Sequence, residues 1–455
     1  APYTRDTAQK FAAITPFLID ALSQTPDPDT ALIRFTQIIS QLPTPATLYN
    51  LLQYNTKLSQ YLMAVIANSD YLADMLVRDI SLLDLVGTPG YLDAPSSFET
   101  LRMELDSLRH AADPAPAVYR LRDGEMLKIA LRELINGISV SAVGDELTQL
   151  ADFIIAVVLD DARENVARRY GNADVPLAAL ALGKFGGREM GYGSDLDILF
   201  VYDETEDNVR DMQLSPTEYF GAIASYTLKT LKEPTRYGIL YDVDARLRPD
   251  GSKGALAIPT QRFHQYYCEE AHFWERFALM KARAVAGDTT FCHSLESVAK
   301  DISFTGIPDA KSVNDLESLR QKLAATASPG DLKRREGGIA EIEFATRLLQ
   351  LQHVAVCPDL KRGGVFGALD ILQKYSFLSQ EDHAILHEGY DFFRLLLNRA
   401  RMIRGTSSSK LPEAPDVVRR LALCLNISSD IMSEVERRAA IIHDVYCRIL
   451  EQAMP

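Results

Sequence analysis

The sequence predicts an α+β protein that is mostly helical, with a small mixed sheet set between two helical regions. Three observations carry that reading. Apolar residues recur every three or four positions from about Thr7 to Gly171, give way to short apolar or alternating runs between Val175 and about Asp288, and return to helical spacing after Gly306-Ile307-Pro308. A glycine-rich turn joins two of the short runs. At 455 residues and 47% hydrophobic content, the chain can bury two or three cores, since one core rarely grows past roughly 250 to 300 residues.

In the first helical region, Tyr61-Leu-Met-Ala-Val-Ile66 and Leu72-Ala-Asp-Met-Leu-Val77, followed by Leu82-Leu-Asp-Leu-Val86, show the helical spacing. Breaks are expected at Thr25-Pro-Asp-Pro-Asp29, Gly87-Thr-Pro-Gly90 and Asp113-Pro-Ala-Pro116, because proline removes an amide donor and excludes helix from the residue before it. Asp27-Pro-Asp29 reads as a surface turn. Val175 to Leu182 and Leu196 to Tyr202 read as strands, followed by a helix over Glu218 to Lys232. A third strand is expected over Ile239 to Arg248, with Asp242, Asp244, Arg246 and Arg248 on one face. The polar tip Pro249 to Gly254 leads to a fourth strand, Ala255 to Ile258, and then to helices holding Trp274. The expected domains are a helical region over 1–150, a catalytic domain over 151–305 and a helical bundle over 306–455, with Arg404 to Lys410 as a loop.

The net charge of −14, from 48 basic against 62 acidic residues, argues against a nucleic-acid partner, because phosphate affinity is built largely from Lys and Arg. Five scattered cysteines without a C-x-x-C fit inert thiols in a reducing cytoplasm. No signal peptide is evident. The longest apolar stretches, such as Phe153 to Leu159, fall short of the ~20 residues that span a bilayer, so no membrane partner is expected.

The stretch from Leu180 to Asp203 carries the chemistry. Asp195 and Asp197 are two apart on a strand and project to one face, while Gly183, Gly186 and Gly187 would let backbone amides approach phosphate oxygens. In-line phosphoryl transfer needs several carboxylates around divalent ions held about 4 Å apart. Asp195 and Asp197 supply two; Asp244 is the expected third, with Asp242 a weaker choice. Hard carboxylate oxygens favour Mg²⁺, and two ions are expected. Isolated Asp-x-Asp pairs are commonly solvated; the glycine turn, Ser194 and the acidic strand downstream set this one apart.

Arg246 and Arg248 would face substrate phosphates, or else form an exposed Asp/Arg ladder. Lys184 and Arg188 flank the glycines and are further phosphate candidates; Ser194 would bond a phosphate or cap the turn. Glu341 and Glu343 do not share a helical face, and acids in a first helical turn are favoured by the dipole. His383 and His387 have the spacing of a zinc pair but no H-E-x-x-H frame, so a solvated or capping pair is expected. Trp274, between Phe273 and Phe277, is expected in a core.

Leu182-Gly-Lys-Phe-Gly-Gly-Arg-Glu-Met190, Ser194-Asp-Leu-Asp-Ile-Leu-Phe200, Val243-Asp-Ala-Arg-Leu-Arg-Pro-Asp-Gly251, Trp274 to Asp288 and Gly337-Gly-Ile-Ala-Glu-Ile-Glu-Phe344 together resemble the bacterial glutamine synthetase adenylyltransferases. The likeness runs from about residue 50 to the end. It implies a polymerase-β-type nucleotidyltransferase core followed by a helical bundle, with metal carboxylates at Asp195, Asp197 and Asp244. ATP would be the substrate, glutamine synthetase the partner, and a PII-type signalling protein and glutamine the effectors. The departures are Phe185, where leucine is expected, and Gly193, where serine is usual.

Enzymes of this family carry two such cores in one chain: one attaches AMP to a tyrosine of glutamine synthetase, the other removes it by phosphorolysis. Gly191-Tyr-Gly-Ser-Asp-Leu-Asp197 and Gly238-Ile-Leu-Tyr-Asp-Val-Asp244 look more like the attaching core than the removing one, and the preceding Asn68 to Leu76 looks like the segment that joins the two. The alternatives are the removing half and a catalytically silent module that binds nucleotide or a PII-type protein.

Overall fold

The computed structural model describes residues 4–111, 113, 116–205, 213–306, 308–427 and 430–453. Pro114 and Ala115 of the third expected break, and Ile307, lie outside them. The chain divides into two compact units: Ala1–Leu147 with Pro234–Gly238 and Leu396–Ile431, and Thr148–Glu233 with Ile239–Leu395 and Met432–Pro455.

In the first unit every regular element among the described residues is helical. Asp27-Pro28-Asp29, expected as a surface turn, starts a helix: the Asp27 side chain accepts from the Thr30 amide and Pro28 occupies the first turn of Pro28–Ser40, where its missing amide costs nothing. The Ala117–Leu131 helix is buried along most of its length and so carries its charges inward. Arg122 pairs with Asp123 at 2.6 Å, and Lys128 Nζ donates to Ser96 Oγ at 2.8 Å. Glu104 sits near Glu125 and Lys128; burial and then the charge of Glu125 push its carboxyl up to about 7, against Lys128.

The second unit holds a five-stranded sheet of β1 (Leu177–Ala181), β2 (Leu196–Tyr202), β3 (Val243–Asp244), β4 (Ala257–Pro259) and β5 (Arg283–Gly287). The order is β3-β2-β1-β5, and β4 also pairs with β2. β1 runs antiparallel to β2 and β5; β3 and β4 run parallel to β2, along its start and its end. The sheet is therefore mixed, as the sequence predicts. Leu180, Leu199, Val201 and Ile258 form a core with Phe263, Tyr267 and the Thr289–Ser303 helix. All five β1 residues are buried, which is why that strand reads as an unbroken apolar run.

Three sequence expectations are corrected here. The strand expected over Ile239 to Arg248 pairs only at Val243–Asp244. The Asp244 carboxylate accepts the Arg246 amide at 2.8 Å and starts a turn, and Arg248 folds inward onto the carbonyls of Ala245, Gly254 and Ser252. The period-two alternation there belongs to a turn, not a ladder. β5 was not anticipated, because Arg-Ala-Val-Ala-Gly is short and small-residue rich. It nonetheless pairs with β1 across a register shift between Ala179 and Leu180. Trp274, expected in a core, is 43% exposed; its helix, Phe273–Leu279, buries Leu279 instead and sets the half-buried Phe277 edge-on to Phe344.

Among the later helices, Glu341 in Ile339–His353 is 1% exposed. It accepts from Arg320 Nη1 at 2.8 Å and from the Gly337 amide at 2.8 Å, and it lies 2.9 Å from His443 Nδ1. It is thus a structural tie among three helices. His383 Nε2 lies 2.9 Å from Asp370 Oδ1 and His387 Nε2 4.0 Å from the same oxygen.

Candidate active site

Register brings the acids together. β2 and β3 pair with Leu196 opposite Val243 and Asp197 opposite Asp244, and the Leu196 amide donates to the Asp242 carbonyl at 2.9 Å. Asp197 and Asp244 therefore stand side by side on parallel strands, with Asp195 just ahead of β2. Asp195 is exposed, whereas Asp197 and Asp244 are half-buried. Burial first, then the charges of Asp195 and Asp244, push the Asp197 carboxyl up to about 6, against the pull of Lys333 and Lys184. The three carboxylates thus form a mutually repelling group partly shielded from water.

Asp244 already has a partner. Its oxygens accept from Arg246 Nε at 2.9 and 3.0 Å and from Nη2 at 2.5 Å, and these bonds hold its carboxyl below the usual range despite burial. A donor set of carboxylate oxygens, three acids close enough that Asp195 and Asp244 raise Asp197, suits a hard divalent cation. As the side chains stand, no group of three or more His, Cys, Asp or Glu among the described residues is arranged to hold an ion; the Asp244 carboxylate is turned onto Arg246. The charge and chemistry of the set fit Mg²⁺, with Asp244 available once Arg246 lets go.

The glycines crowd the site. Gly183 has φ +55°, and a Cβ there would lie 2.0 Å from Asp197 Oδ2, so only glycine fits both the backbone and the carboxylate. At Gly186 a Cβ would meet the carbonyl oxygens of Lys281 and Ala181 at 2.1 and 2.6 Å. The amides of Gly186 and Gly187 close a helical turn over Gly183–Gly186 by donating to Leu182 and Gly183. Those two glycines thus serve close packing, and their amides are occupied within the turn. Ser194 Oγ accepts the Gly191 amide at 3.0 Å and caps the loop before β2.

The turn is braced from behind. Arg283 in β5 donates to the Phe185 and Gly186 carbonyls at 3.2 and 3.3 Å and binds Asp152 through both Nη atoms at 2.9 and 2.8 Å. Arg188 Nη1 lies 3.5 Å from Asp152. Lys281 Nζ bridges Glu189 at 2.9 Å and Glu343 at 2.8 Å. Burial would raise the Glu343 carboxyl, but Lys281, Lys184 and Lys333 together bring it down to about 2. Glu189 also accepts the Val365 amide at 2.5 Å, and its carbonyl takes Arg394 Nη2 at 2.8 Å. Glu343 is thus a brace reaching the turn through lysine.

A cavity of ≈ 510 Å³ opens beside β3. Asp195, Asp242 and Asp244 line it together with Lys229 and Lys232 of the Pro216–Lys232 helix, Arg246 and Arg248. Sequence reasoning missed Lys229, Lys232, Lys281, Arg283 and Lys333. The signal available was charge inside apolar stretches, as in Leu279-Met-Lys-Ala-Arg283, but nothing local names a partner far away in the chain.

A small mixed sheet carrying paired acids on one strand, a third acid in register beside them and a glycine turn in front is a nucleotidyltransferase-like arrangement. Residues 59–297 match the family model described as Glutamate-ammonia ligase adenylyltransferase, and the chain belongs to that family. Residues 306–450 match a second model, GlnD PII-uridylyltransferase.

The chain is similar to curated proteins named bifunctional glutamine synthetase adenylyltransferase/adenylyl-removing enzyme. The one from Rhodopseudomonas palustris strain HaA2 is 28% identical over 98% of this chain and 46% of its own length. For Stenotrophomonas maltophilia strain R551-3 the identity is 32%, over 84% and 40%; for Brucella melitensis biotype 1 it is 30%, over 77% and 37%. The chain spans about half the length of the curated relatives it matches.

Proposed function

We propose that this chain transfers AMP from ATP to a tyrosine hydroxyl of glutamine synthetase, a Mg²⁺-dependent step that regulates nitrogen assimilation. The observation that carries the reading is the pairing of Asp197 with Asp244 on adjoining strands, with Asp195 just ahead of β2 and Gly183 against Asp197, in a chain of the adenylyltransferase family.

Asp195, Asp197 and Asp244 would hold the divalent cations, which when bound neutralise phosphate charge and stabilise the entering and leaving oxygens. The chain's own groups do the rest. Gly183 leaves Asp197 room beside the turn, and Lys184 supplies positive charge for the triphosphate. Arg246, freed from Asp244, and Arg248 at the cavity wall are the groups to meet phosphate. Free tyrosine ionises near ~10, so Asp244 is the proposed acceptor of the phenolic proton. The phenolic oxygen bonds to the α-phosphorus, the bond to the bridging oxygen breaks, and pyrophosphate leaves.

A second reading has a specific observation behind it: the relatives' printed names join transfer with adenylyl removal, and this chain covers one half. Incubation with α-labelled ATP, Mg²⁺ and unmodified glutamine synthetase tests the first; label on the partner is the expected result. Release of ADP from adenylylated partner and phosphate, without labelling, would favour removal. Absence of Mg-ATP binding by calorimetry would leave a silent module. A PII-type protein and glutamine are the proposed effectors, and the match over 306–450 supports the former. Within this reading 151–305 is the catalytic domain, flanked by the helical 1–150 and 306–455, in a cytoplasmic enzyme.

A further inference from the structure

The row of carboxylates has two sides. β2 lies between β1 and β3. The glycine turn follows β1, and Gly183 touches Asp197 on that side. Lys184, in that turn, is among the cations whose charge lowers the Asp197 carboxyl. The ≈ 510 Å³ cavity lies on the β3 side: it is lined by Asp195 and Asp244 but by neither Asp197 nor any residue of the turn.

In-line displacement puts the entering and leaving oxygens on opposite sides of the phosphorus. If the leaving pyrophosphate lies along the glycine turn, the acceptor must come from the other side. We propose that the cavity between β3 and the Pro216–Lys232 helix is the acceptor site, taking a polypeptide loop that carries the attacking tyrosine and neighbouring carboxylates, with Lys229 as its docking cation. This rests on the transfer reading given above.

The cavity's chemistry suits that occupant. Leu228, Val243 and Leu256 offer apolar surface for a phenol ring, and Asp244 stands at its edge to meet the hydroxyl. The lining sets Lys229, Lys232, Arg246 and Arg248 among Asp195, Asp242 and Asp244; with two of those acids given to cations and both arginines to phosphate, Lys229 is the cation left to meet an acidic group of the incoming segment. Lys232 is partly committed, donating to the Val243 carbonyl at 3.2 Å and lying 3.6 Å from Asp242. It holds β3 in place and is a poor probe. Lys229 is exposed on the same helix and can be changed without disturbing that anchor.

The test compares Lys229→Glu and Lys229→Arg with the wild-type chain, measuring KM and kcat for unmodified glutamine synthetase together with the calorimetric Kd of Mg-ATP. The expected result for Lys229→Glu is a KM for the protein acceptor raised at least fivefold, a Kd for ATP within twofold of wild type, and rescue by Lys229→Arg. Raising the salt should narrow the difference between variants. A weakened ATP Kd with unchanged acceptor KM would overturn the assignment and make the cavity a phosphate site. Unchanged values throughout would also overturn it. A wild-type chain that labels no partner would remove the transfer reading itself, and this inference with it.

Discussion

Gly183 stands against Asp197 with no space for a side chain: a Cβ would fall 2.0 Å from Oδ2, and the backbone is left-handed at φ +55°. Gly183→Ala therefore strains the chain by about 1–2 kcal/mol and pushes the carboxylate aside. Transfer should drop by a factor of about a hundred or more, in line with what small misplacements cost, while the melting temperature falls only a few degrees. Single-turnover labelling beside calorimetry measures both. Full activity in the variant would show that Asp197 need not stay where it is.

Asp195→Asn with Asp197→Asn should abolish AMP transfer and leave the helices folded, as circular dichroism would report. Because Asp197 is burdened by burial and two neighbouring charges, the double variant should melt higher than wild type in the absence of divalent cations. On the proposed metal site, Mg²⁺ should raise the melting temperature of the wild type and not that of the double variant. A fully active double variant refutes the assignment.

Lys281→Met leaves Glu189 and Glu343 without their shared cation. Breaking a buried pair from one side costs about 3–5 kcal/mol, and here two carboxylates are stranded behind the glycine turn. Denaturant titration should show that loss, and adding Glu189→Gln and Glu343→Gln should recover part of it. A single variant as stable as wild type would mean that the bridge is idle.

Glu104 provides a pH signature in the first unit. Its carboxyl rises from 4.5 to about 7 on folding, so the fold is favoured by protonation. The penalty for the ionised form is absent below pH 4.5, grows from there to about 7 and is complete above it. The shift corresponds to about 3 kcal/mol before screening by solvent and about 1–2 after it. Glu104→Gln should exceed the wild type in stability by that amount at pH 8 and converge with it at pH 4.5. An equal advantage at both would point to packing instead.

Much of this was legible in the chain. β2 emerges at its full length because both of its edges are paired and its residues are almost all buried. Pairing of β2 with β3 sets Asp197 opposite Asp244, while Asp195 stands just before the strand begins. β3 misled because its alternation has mixed causes: Val243 is in the sheet, while Arg248 is buried to satisfy carbonyls. The Lys281 brace was hidden because Glu189 and Glu343 lie 92 and 62 residues away from it, and no periodicity encodes such a meeting.

Trp274 misled for another reason, since Leu279 is the buried residue of its helix and Phe277, half-buried, packs on Phe344. It is the sole tryptophan and 43% exposed, so native fluorescence should be readily quenched by acrylamide. Resistance to quenching would return it to a core.

The reach of Glu189 sets how short a self-standing piece of the second unit can be. Its carboxylate leans on Lys281 and the Val365 amide, and its carbonyl on Arg394. A polypeptide trimmed where the sheet ends would keep Glu189 and Lys281 but lose Glu343, the Val365 amide and Arg394, so the shortest piece that keeps these bonds must extend past Arg394.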